Sequence, residues 1–409
     1  MQKRFKPDNG GEFPEWEEVC LGDIAEFSRG KGLTKKDIVE KGSKKCILYG
    51  QLQVKYQTII KNVTGMTNAE IKNPVLSKSG DVLISSSISA GLTQASCIKE
   101  DGVIIGSDIN ILRPKENIDG EFLARVINAN AKKLKRFFEG SVILHLRNEN
   151  IKKISVKIPK SIEEQQKIAK ALDLFDEMIA NKREELEVLK ELKKTMMKEL
   201  FDRTKRFKDE NGNEYPEWEE KTLDEICESV SDGSHFSPKT VKNGKMMLSV
   251  KDMDTCGFNF SNCKRITETD FDNLVKQNCK PQINDVLLSK DGSVFKYVFK
   301  VDKEIDAVLL SSIAIIRPNT QKIDSNFLVQ CFKNTHLTYL FLKKNTTGTA
   351  IQRVVLKNLK NIQLPIPCLE EQQKIGSFLS DIDTGIEIQK DFINLYAEAK
   401  KVMMKELIC

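Results

Sequence analysis

The chain has 409 residues, of which 40% are hydrophobic and 30% are charged, and its formal net charge is +6. This length suggests roughly two to four domains, each able to bury a core. The sequence has no 18-residue apolar run and no basic-then-apolar leader, so we expect a cytoplasmic protein without a membrane contact. The ten cysteines form no CxxC pair, which favours reduced thiols over a disulfide or zinc framework.

The first element in chain order is a motif that returns in the second half of the chain. RFKPDNGGEFPEWEEVCLGDIAE at 4–26 returns as RFKDENGNEYPEWEEKTLDEICE at 206–228, an offset of 202 residues. Later matched segments return at offsets of 204 to 208, and the offset changes only between segments. Length changes confined to loops are expected when one fold occurs twice in tandem. The predicted order is therefore motif, globular body and helix, repeated once.

Each globular body is predicted to mix strands and helices. Short β-branched runs bounded by Gly, Asp and Pro predict strands in the first body, and a helical pattern follows at 119–138. The second body shows the same order, with its helical pattern at 325–343. Segments 27–79 and 229–283 share almost no sequence although their flanks match. A common scaffold that carries two divergent polar surfaces is typical of two domains that recognise different targets.

The third repeated element is a long helix with a heptad pattern. Ser161 and Glu164 form a predicted capping box after Pro159, and a helix from Ile168 to Phe201 would be roughly 50 Å long. The apolar seam consists of Leu172, Phe175, Ile179, Leu186, Leu189, Met196 and Leu200 in the first copy, and of Leu379, Ile382, Ile386, Ile393, Tyr396, Met403 and Leu407 in the second. Neither helix can bury this seam alone, so we predict an antiparallel intramolecular pair that acts as a spacer. The alternative is two ordinary helices, each packed on its own domain.

These elements predict an α+β fold with two similar mixed α/β domains and two long antiparallel helices, related by a pseudo-twofold axis. The predicted boundaries are a first globular domain at 1–159, a central helical spacer at 160–204, a second globular domain at 205–367 and a C-terminal helical spacer at 368–409. Trp16 and Trp218 recur inside the repeated PEWEE motif, which favours core packing over stacking on a ligand.

The charge is distributed unevenly between bodies and helices. Segment 161–205 has 10 Lys and Arg against 11 Asp and Glu, and segment 366–409 has 5 against 8. The basic excess therefore lies in the globular bodies, as expected if these bodies bind a polyanion.

A motif at the end of each body resembles a known family over the full chain. It reads GTAIQRVVLKNLKNIQLPIPCLEEQQKI at 348–375 and, less perfectly, GSVILHLRNENIKKISVKIPKSIEEQQKI at 140–168. The family is the specificity (S) subunit of type I restriction–modification enzymes, with two target recognition domains. SDGSHFSPK at 231–239 is similar to the D-G-T-H-x-x-P segment of such domains, whereas the first copy departs from it with FSRGKGLTKK.

The resemblance implies a non-catalytic subunit that binds a bipartite double-stranded DNA sequence, one half-site per domain. It further implies that two methyltransferase (M) subunits dock on the helices and that restriction (R) subunits complete the complex. S-adenosylmethionine, ATP and Mg²⁺ would belong to those partners, with no cofactor or metal in this chain. The divergent segments would make the half-sites different and the target asymmetric.

Base discrimination needs donors and acceptors that reach groove edges, whereas phosphate contacts position the protein. For each residue singly, the alternative is a solvated loop side chain. The DNA-binding candidates are Arg29, Lys31, Lys35, Ser85, Ser86, Ser87, Thr93, Gln94, His145 and Arg147 in the first domain, and Ser234, His235, Lys239, Lys290, Asp291, Gln352 and Arg353 in the second.

Three other interpretations stay open on the sequence alone. The chain could serve a modification-only or type II-like methyltransferase system, or it could be a coiled-coil scaffold unrelated to DNA. A standalone restriction–methylation enzyme is the third, but the sequence has no [DN]-P-P-[FYW], GxxxxGK[ST] or HExxH motif.

Overall fold

The computed structural model describes residues 4–88, 94–139, 144–292, 294–345 and 353–408. The chain divides into two compact units: unit 1 comprises residues 1–184 and 390–409, and unit 2 comprises residues 185–389. Four predicted positions, Thr93, Gly140, Gly348 and Gln352, lie outside the described residues.

Unit 1 is a mixed α/β body. Its strands are β1 (Glu17–Cys20), β2 (Ala25–Arg29), β3 (Ile38–Val39), β4 (Lys44–Ile47), β5 (Ile59–Ile60), β6 (Met66–Thr67), β7 (Val82–Ser85), β8 (Ser87–Ile88), β9 (Ala95–Ile98), β10 (Ile104–Ile105), β11 (Ile109–Pro114), β12 (Leu144–His145) and β13 (Ser155–Ile158). Its short helices are α1 (Leu21–Ile24), α2 (Tyr49–Val54), α3 (Gly120–Ala129), α4 (Ala131–Leu134) and α5 (Asn148–Ile151). One sheet has the strand order β2-β11-β7-β9-β5 and another has the order β10-β4-β6-β3.

Unit 2 repeats this plan, with fewer strands among its described residues. Its strands are β14 (Glu219–Thr222), β15 (Cys227–Asp232), β16 (Lys245–Leu248), β17 (Met253–Asp254), β18 (Gly257–Phe258), β19 (Lys264–Ile266), β20 (Val286–Ser289), β21 (Val298–Lys300), β22 (Ala307–Leu309), β23 (Ile313–Pro318) and β24 (Gln363–Ile366). Its short helices are α7 (Leu223–Ile226), α8 (Glu268–Lys276), α9 (Ser325–Lys333), α10 (Thr335–Asn345) and α11 (Leu356–Lys360). The sheets have the strand orders β15-β23-β20-β21 and β19-β16-β22.

One inner strand of each main sheet, β7 in unit 1 and β20 in unit 2, is mostly apolar and buried. In unit 1, β7 pairs antiparallel with β11, which pairs antiparallel with β2. In unit 2, β20, β23 and β15 pair in the same way. Every residue of β7 and β20 is buried. Both strands are short continuous apolar runs in which apolar and polar residues do not alternate, as expected for strands at the centre of a core. Polar side chains can reach solvent where these strands end.

Two long helices, α6 (Ile162–Phe201) and α12 (Leu369–Leu407), contribute to both units. In unit 1, Leu172 of α6 joins a hydrophobic core that contains Leu407 of α12. Lys182 of α6 also lies 5.6 Å from the ring centroid of Phe392 of α12. In unit 2, the side chain of Leu189 lies 3.4 Å from where a Cβ on Gly385 would stand. The predicted antiparallel packing of the helices is confirmed within each unit.

Polar positions in the seam form ion pairs between the helices. Asp176 pairs with Lys400 in unit 1, and Lys193 pairs with Asp383 in unit 2. These pairs occupy the same repeat positions with the roles of the two helices exchanged. Burial lowers the pKa of Lys193, although Asp383 opposes this. Burial raises the pKa of Asp383, but Lys333 and Lys193 outweigh it and hold that pKa below its ordinary value. A charged pair within an apolar seam favours one helix register.

The opening motif anchors the start of each long helix. The guanidinium of Arg4 donates to both carboxylate oxygens of Glu164 at 3.0 and 2.8 Å, and Trp16 Nε1 donates to the same group at 3.3 Å. Arg206, Trp218 and Glu371 repeat this arrangement in unit 2. The predicted start of the first long helix after Ser161 is confirmed, and the carboxylate of Glu164 binds Arg4 and Trp16. Core packing of both tryptophans is confirmed.

The two predicted mid-body helices are each broken at an asparagine. The pattern at 119–138 becomes α3 and α4 with a 3-10 turn at Lys135–Phe137, and the pattern at 325–343 becomes α9 and α10. Asn130 stands at the first break, where its side chain donates to Val126 O at 2.9 Å. Asn334 stands at the second, where its side chain accepts from the N–H groups of His336 and Leu337. Asparagine satisfies backbone groups locally in this way and so ends a helix.

The cysteines from Cys20 to Cys368 are free, and several lie in the cores. Burial raises the pKa of Cys46 to about 11 and that of Cys97 and Cys227 to about 12. These thiols therefore stay protonated at neutral pH. None of the described helices is long and apolar enough to cross a membrane.

Candidate nucleic-acid interface

A polar cluster forms in unit 1 where β7 ends. We define the unit 1 strand-end cluster as Arg29, Ser86, Ser87, Asp108 and His145. Arg29 Nη2 donates to Asp108 Oδ1 at 2.5 Å and to Ser86 Oγ at 3.3 Å. Ser87 Oγ lies 3.1 Å from His145 Nδ1. Arg29 and His145 are exposed, so their remaining donors are open to a ligand.

The corresponding cluster in unit 2 forms where β20 ends. We define the unit 2 strand-end cluster as Asp232, His235, Lys290, Asp291 and Arg353. Lys290 Nζ lies 3.1 Å from Asp232 Oδ2 and 3.7 Å from Asp291 Oδ1, and it is only 4% exposed. His235 Nε2 lies 3.3 Å from Asp232 Oδ2, and Arg353 Nε lies 3.0 Å from Asp291 Oδ1. The carboxylates are largely buried while His235 and Arg353 reach solvent.

The backbone of unit 1 holds its cluster with two hydrogen bonds at Ser86. The Ser86 N–H donates to Asp108 O at 2.8 Å, and the Ser86 carbonyl accepts from Leu146 N at 2.9 Å. The strand pair β8–β12 then sets Ser87 opposite His145.

The backbone of unit 2 repeats these bonds at Lys290. The Lys290 N–H donates to Ser312 O at 3.0 Å, and its carbonyl accepts from Val354 N at 3.1 Å. An isolated bridge then sets Asp291 opposite Arg353. The two units therefore have the same backbone hydrogen bonds at the end of this strand.

The side chains on this common backbone frame differ. Arg29 stands opposite Asn110 in the sheet of unit 1, and Asp232 stands opposite the corresponding Ala314 in unit 2. The facing pair Ser87–His145 of unit 1 is replaced by Asp291–Arg353 in unit 2. A cation is thus exchanged for an anion at one position, and a neutral pair for an ion pair at another. Two such surfaces present different donors and acceptors in the same geometry.

Several predicted contact residues lie inside the fold and not on its surface. Ser85 is buried, and its hydroxyl donates to Ser87 O at 2.8 Å. Ser86 and Ser234 are buried as well, and Lys290 is buried with its carboxylate partners. Burial of these four side chains disfavours direct groove contacts, because their polar atoms already have protein partners and little access to a ligand. They support the exposed members of each cluster.

The other predicted residues lie at the surface or at its edge. Lys31, Lys35, Arg147 and Lys239 are exposed, and Arg147 Nε lies 3.4 Å from Glu139. Gln94 is partly buried, and its amide donates to Tyr56 O at 3.3 Å. The four exposed basic side chains suit phosphate contacts better than base readout, because few protein partners fix their orientation.

A cleft of about 830 Å³ lies beside the cluster in unit 1. The predicted residue Lys35 lines it, together with Tyr49, Gln51 and Val54 of the divergent segment and with Asp108 of the cluster. Tyr49 and Val54 are exposed apolar side chains. Sequence reasoning missed them because no periodicity marks a six-residue helix inside a polar segment.

Asp37 lies in sequence between Lys35 and Ile38, which both line this cleft. The Thr34 hydroxyl and N–H both donate to Asp37 Oδ2 at 2.7 Å. These hydrogen bonds lower the pKa of Asp37 below its ordinary value. The carboxyl group of Asp37 is therefore ionised at neutral pH.

Asp108 and Asp232 were also missed, although each organises its cluster. The alignment of the two repeats could have pointed to Asp232, because Asp232 occupies the sheet position in the second copy that Arg29 occupies in the first. Among the described residues, no group of three His, Cys, Asp or Glu side chains could hold a metal ion.

Comparison with known proteins identifies the family. A model of the type I restriction modification DNA specificity domain matches the chain twice, over residues 14–191 and 215–395. The chain belongs to this family. The resemblance drawn from the motifs is thereby confirmed for both copies, and each strand-end cluster lies within a matched specificity domain.

Similar proteins extend over the full length of this specificity-family member. The type I restriction enzyme MjaVIII specificity subunit of Methanocaldococcus jannaschii is 27% identical over 424 residues, covering 100% of this chain and 95% of the relative. The putative type I restriction enzyme MjaX specificity subunit of the same organism is 27% identical over 437 residues, covering 100% and 96%. The crystal structure of the type I restriction–modification S subunit from M. genitalium shares the fold, with a TM-score of 0.67 and 15% identity over 100% of this chain and 99% of that one.

Proposed function

We propose that this chain is the DNA-reading subunit of a type I restriction–modification complex. Unit 1 binds one half and unit 2 the other half of an asymmetric bipartite sequence in double-stranded DNA. The observation that carries the proposal is the pair of strand-end clusters, which keep one backbone frame and exchange the side chains on it. Direct readout requires this combination, because the frame sets the approach to the groove and the side chains select the bases.

The exposed members of the clusters are the proposed base-reading groups. Arg29 and His145 in unit 1 and His235 and Arg353 in unit 2 keep free donors while a neighbouring oxygen or nitrogen fixes their orientation. Such fixation lowers the entropy that is lost on binding. Lys31, Lys35, Arg147 and Lys239 are proposed to contact phosphates, which adds affinity that is independent of sequence.

The long helices are proposed to dock two methyltransferase subunits, one on each unit. Val188 of α6 in unit 2 is 63% exposed and Leu395 of α12 in unit 1 is 60% exposed. They occupy the same repeat position, 207 residues apart. Further exposed apolar residues follow on these helices at heptad-like spacing: Leu174, Met178, Phe392 and Val402 in unit 1, and Leu192 and Ile388 in unit 2. Because the seam is already used within each unit, these exposed residues form a second apolar stripe that is available to a partner helix.

Catalysis is assigned to the partners. The methyltransferase subunits would transfer a methyl group from S-adenosylmethionine to adenine, and restriction subunits with ATP and Mg²⁺ would translocate and cleave DNA. This assignment is supported by the sequence, which has no [DN]-P-P-[FYW] methyltransferase motif, no GxxxxGK[ST] nucleotide-binding motif and no HExxH metalloprotease motif. A purified chain that methylates DNA unaided would contradict this assignment.

The test is to map N6-methyladenine in DNA from cells that express this chain with its methyltransferase partner. We expect a single motif with two different specified halves separated by unspecified base pairs, methylated on both strands. A palindromic or uninterrupted motif would contradict the two-reader proposal. A complex that shows no sequence-dependent methylation or DNA binding would favour a scaffold unrelated to DNA.

A further inference from the structure

Phe236 places an aromatic ring in solvent beside the unit 2 strand-end cluster. The side chain is 64% exposed, although the core and the long-helix seams hold most of the described phenylalanines. Its neighbour His235 belongs to the cluster through Asp232. A large apolar group at the edge of a set of hydrogen-bonding groups is typical of a recognition surface, because polar groups alone cannot match the apolar parts of a ligand.

The backbone around Phe236 is held rigidly. Ser234 is buried, and its hydroxyl accepts from Phe236 N–H at 3.0 Å and donates to Phe236 O at 2.8 Å. Ser234 in turn donates its N–H to Leu309 O at 2.7 Å and accepts from Ser311 N at 2.9 Å. A Cβ on Gly233 would lie 2.2 Å from Leu309 O, so only glycine allows this close approach. The exposure of Phe236 is therefore a fixed feature of the sheet edge.

The residue at the corresponding position of unit 1 is buried instead of exposed. Lys31 donates its N–H to Ile105 O as Ser234 does to Leu309 O, and two residues later Leu33 corresponds to Phe236. Leu33 is 2% exposed and packs with Cys46 and Leu48. The same point of the scaffold thus carries a core residue in one unit and a surface ring in the other. A difference confined to one unit indicates a role in the half-site of that unit.

We propose that Phe236 contacts the C5-methyl group of a thymine in the half-site bound by unit 2. The inference rests on the proposed DNA-reading function. In the major groove, thymine presents an apolar methyl group beside a carbonyl acceptor, and side chains such as Phe contact that methyl. His235 and Arg353 supply donors on the same cluster for neighbouring base edges. Phe236 would then determine specificity at one base pair without donating or accepting a hydrogen bond.

The test removes the methyl group alone. Once the methylation motif is known, binding of the complex of this chain with its methyltransferase subunits is measured on duplexes in which each thymine is replaced in turn by deoxyuridine. At one thymine we expect about threefold to tenfold weaker binding, as estimated from the burial of one methyl group. Phe236→Ala should bind the thymine and deoxyuridine duplexes equally, whereas Phe236→Leu should keep most of the discrimination.

A matched control is Ile283→Ala, which truncates an apolar side chain that is 55% exposed and precedes the opposite end of β20. It should leave the thymine-to-deoxyuridine ratio unchanged. The inference is overturned if Phe236→Ala keeps the wild-type ratio at every thymine, if no thymine shows discrimination in the wild type, or if Ile283→Ala removes the discrimination as well. A wild-type complex that binds no specific sequence overturns the proposed function instead, and this outcome is visible before any variant is made.

Discussion

At the scale of single residues, the strand-end cluster of unit 2 depends on a buried charge. Lys290 is almost fully buried between Asp232 and Asp291. An ammonium group out of water is tolerated only while its partners remain, because its desolvation is costly. Lys290 therefore fixes the two carboxylates, which in turn orient His235 and Arg353 at the surface.

Asp232→Ala should destabilise unit 2 by about 2–4 kcal/mol, because it leaves Lys290 buried with only the more distant Asp291. Urea unfolding followed by Trp218 fluorescence in a Trp16→Phe background measures the free energy of unfolding of this unit. Asp306→Ala breaks surface ion pairs with Lys245 at 2.9 Å and Lys280 at 3.7 Å, and because Asp306 is half-exposed it should cost less than about 1 kcal/mol. Equal losses for the two variants would show that Lys290 does not need Asp232.

Sequence patterns predicted part of the candidate site for stated physical reasons. His145 and Arg353 follow the glycine turns of the two copies, and Lys290 follows a buried strand, so their grouping with the cluster could be foreseen. The burial of Ser85 and Ser234 could not, because a serine after a strand satisfies its hydroxyl on the backbone as readily as it faces solvent. Phe236 was missed because only the comparison of its burial with that of Leu33 distinguishes it.

At the scale of elements, the heptad pattern predicted the buried seam of the long helices, and Ser161 predicted where α6 begins. The seam residues Leu172, Leu186, Leu379 and Leu407 are buried, since an apolar stripe at this spacing must find a partner. What the sequence did not predict is the contact of the Glu164 carboxylate with Arg4, which is distant in sequence. A tertiary contact of this kind leaves no signal in the local sequence.

Glutamate at the exposed stripe should prevent docking of the partner. Val188→Glu and Leu395→Glu each place a carboxylate at the same repeat position in one unit, and each should remove one of the two methyltransferase subunits. The double variant should remove both, because a buried unpaired charge strongly disfavours an apolar interface. Native mass spectrometry of co-purified complexes gives the stoichiometry directly.

Ala397→Glu is the matched control for this prediction. It adds the same charge to an exposed position two residues from Leu395, on a different face of the helix. It should leave two methyltransferase subunits bound. Loss of docking in this control, or full docking in the double variant, would contradict the assignment of the stripe.

At the scale of the whole molecule, the tandem repeat encodes two specificity domains in one chain. The matched segments build the same backbone frame twice, down to the bonds at Ser86 and Lys290. The unmatched segments at 27–79 and 229–283 supply most of what differs beside that frame, including Lys35, Tyr49 and Phe236. The repeat could be recognised from sequence because insertions fall in loops. The exchange of charges at the clusters required the strand register as well.

The central claim is that each unit reads its own half-site through its strand-end cluster. The most direct measurement is to compare the methylation motifs of His145→Ala and Arg353→Ala, each expressed with the methyltransferase partner. We expect His145→Ala to relax base preference in one half of the motif only, and Arg353→Ala to relax it in the other half only. Changes by both variants in the same half, or unchanged motifs in both, would contradict it.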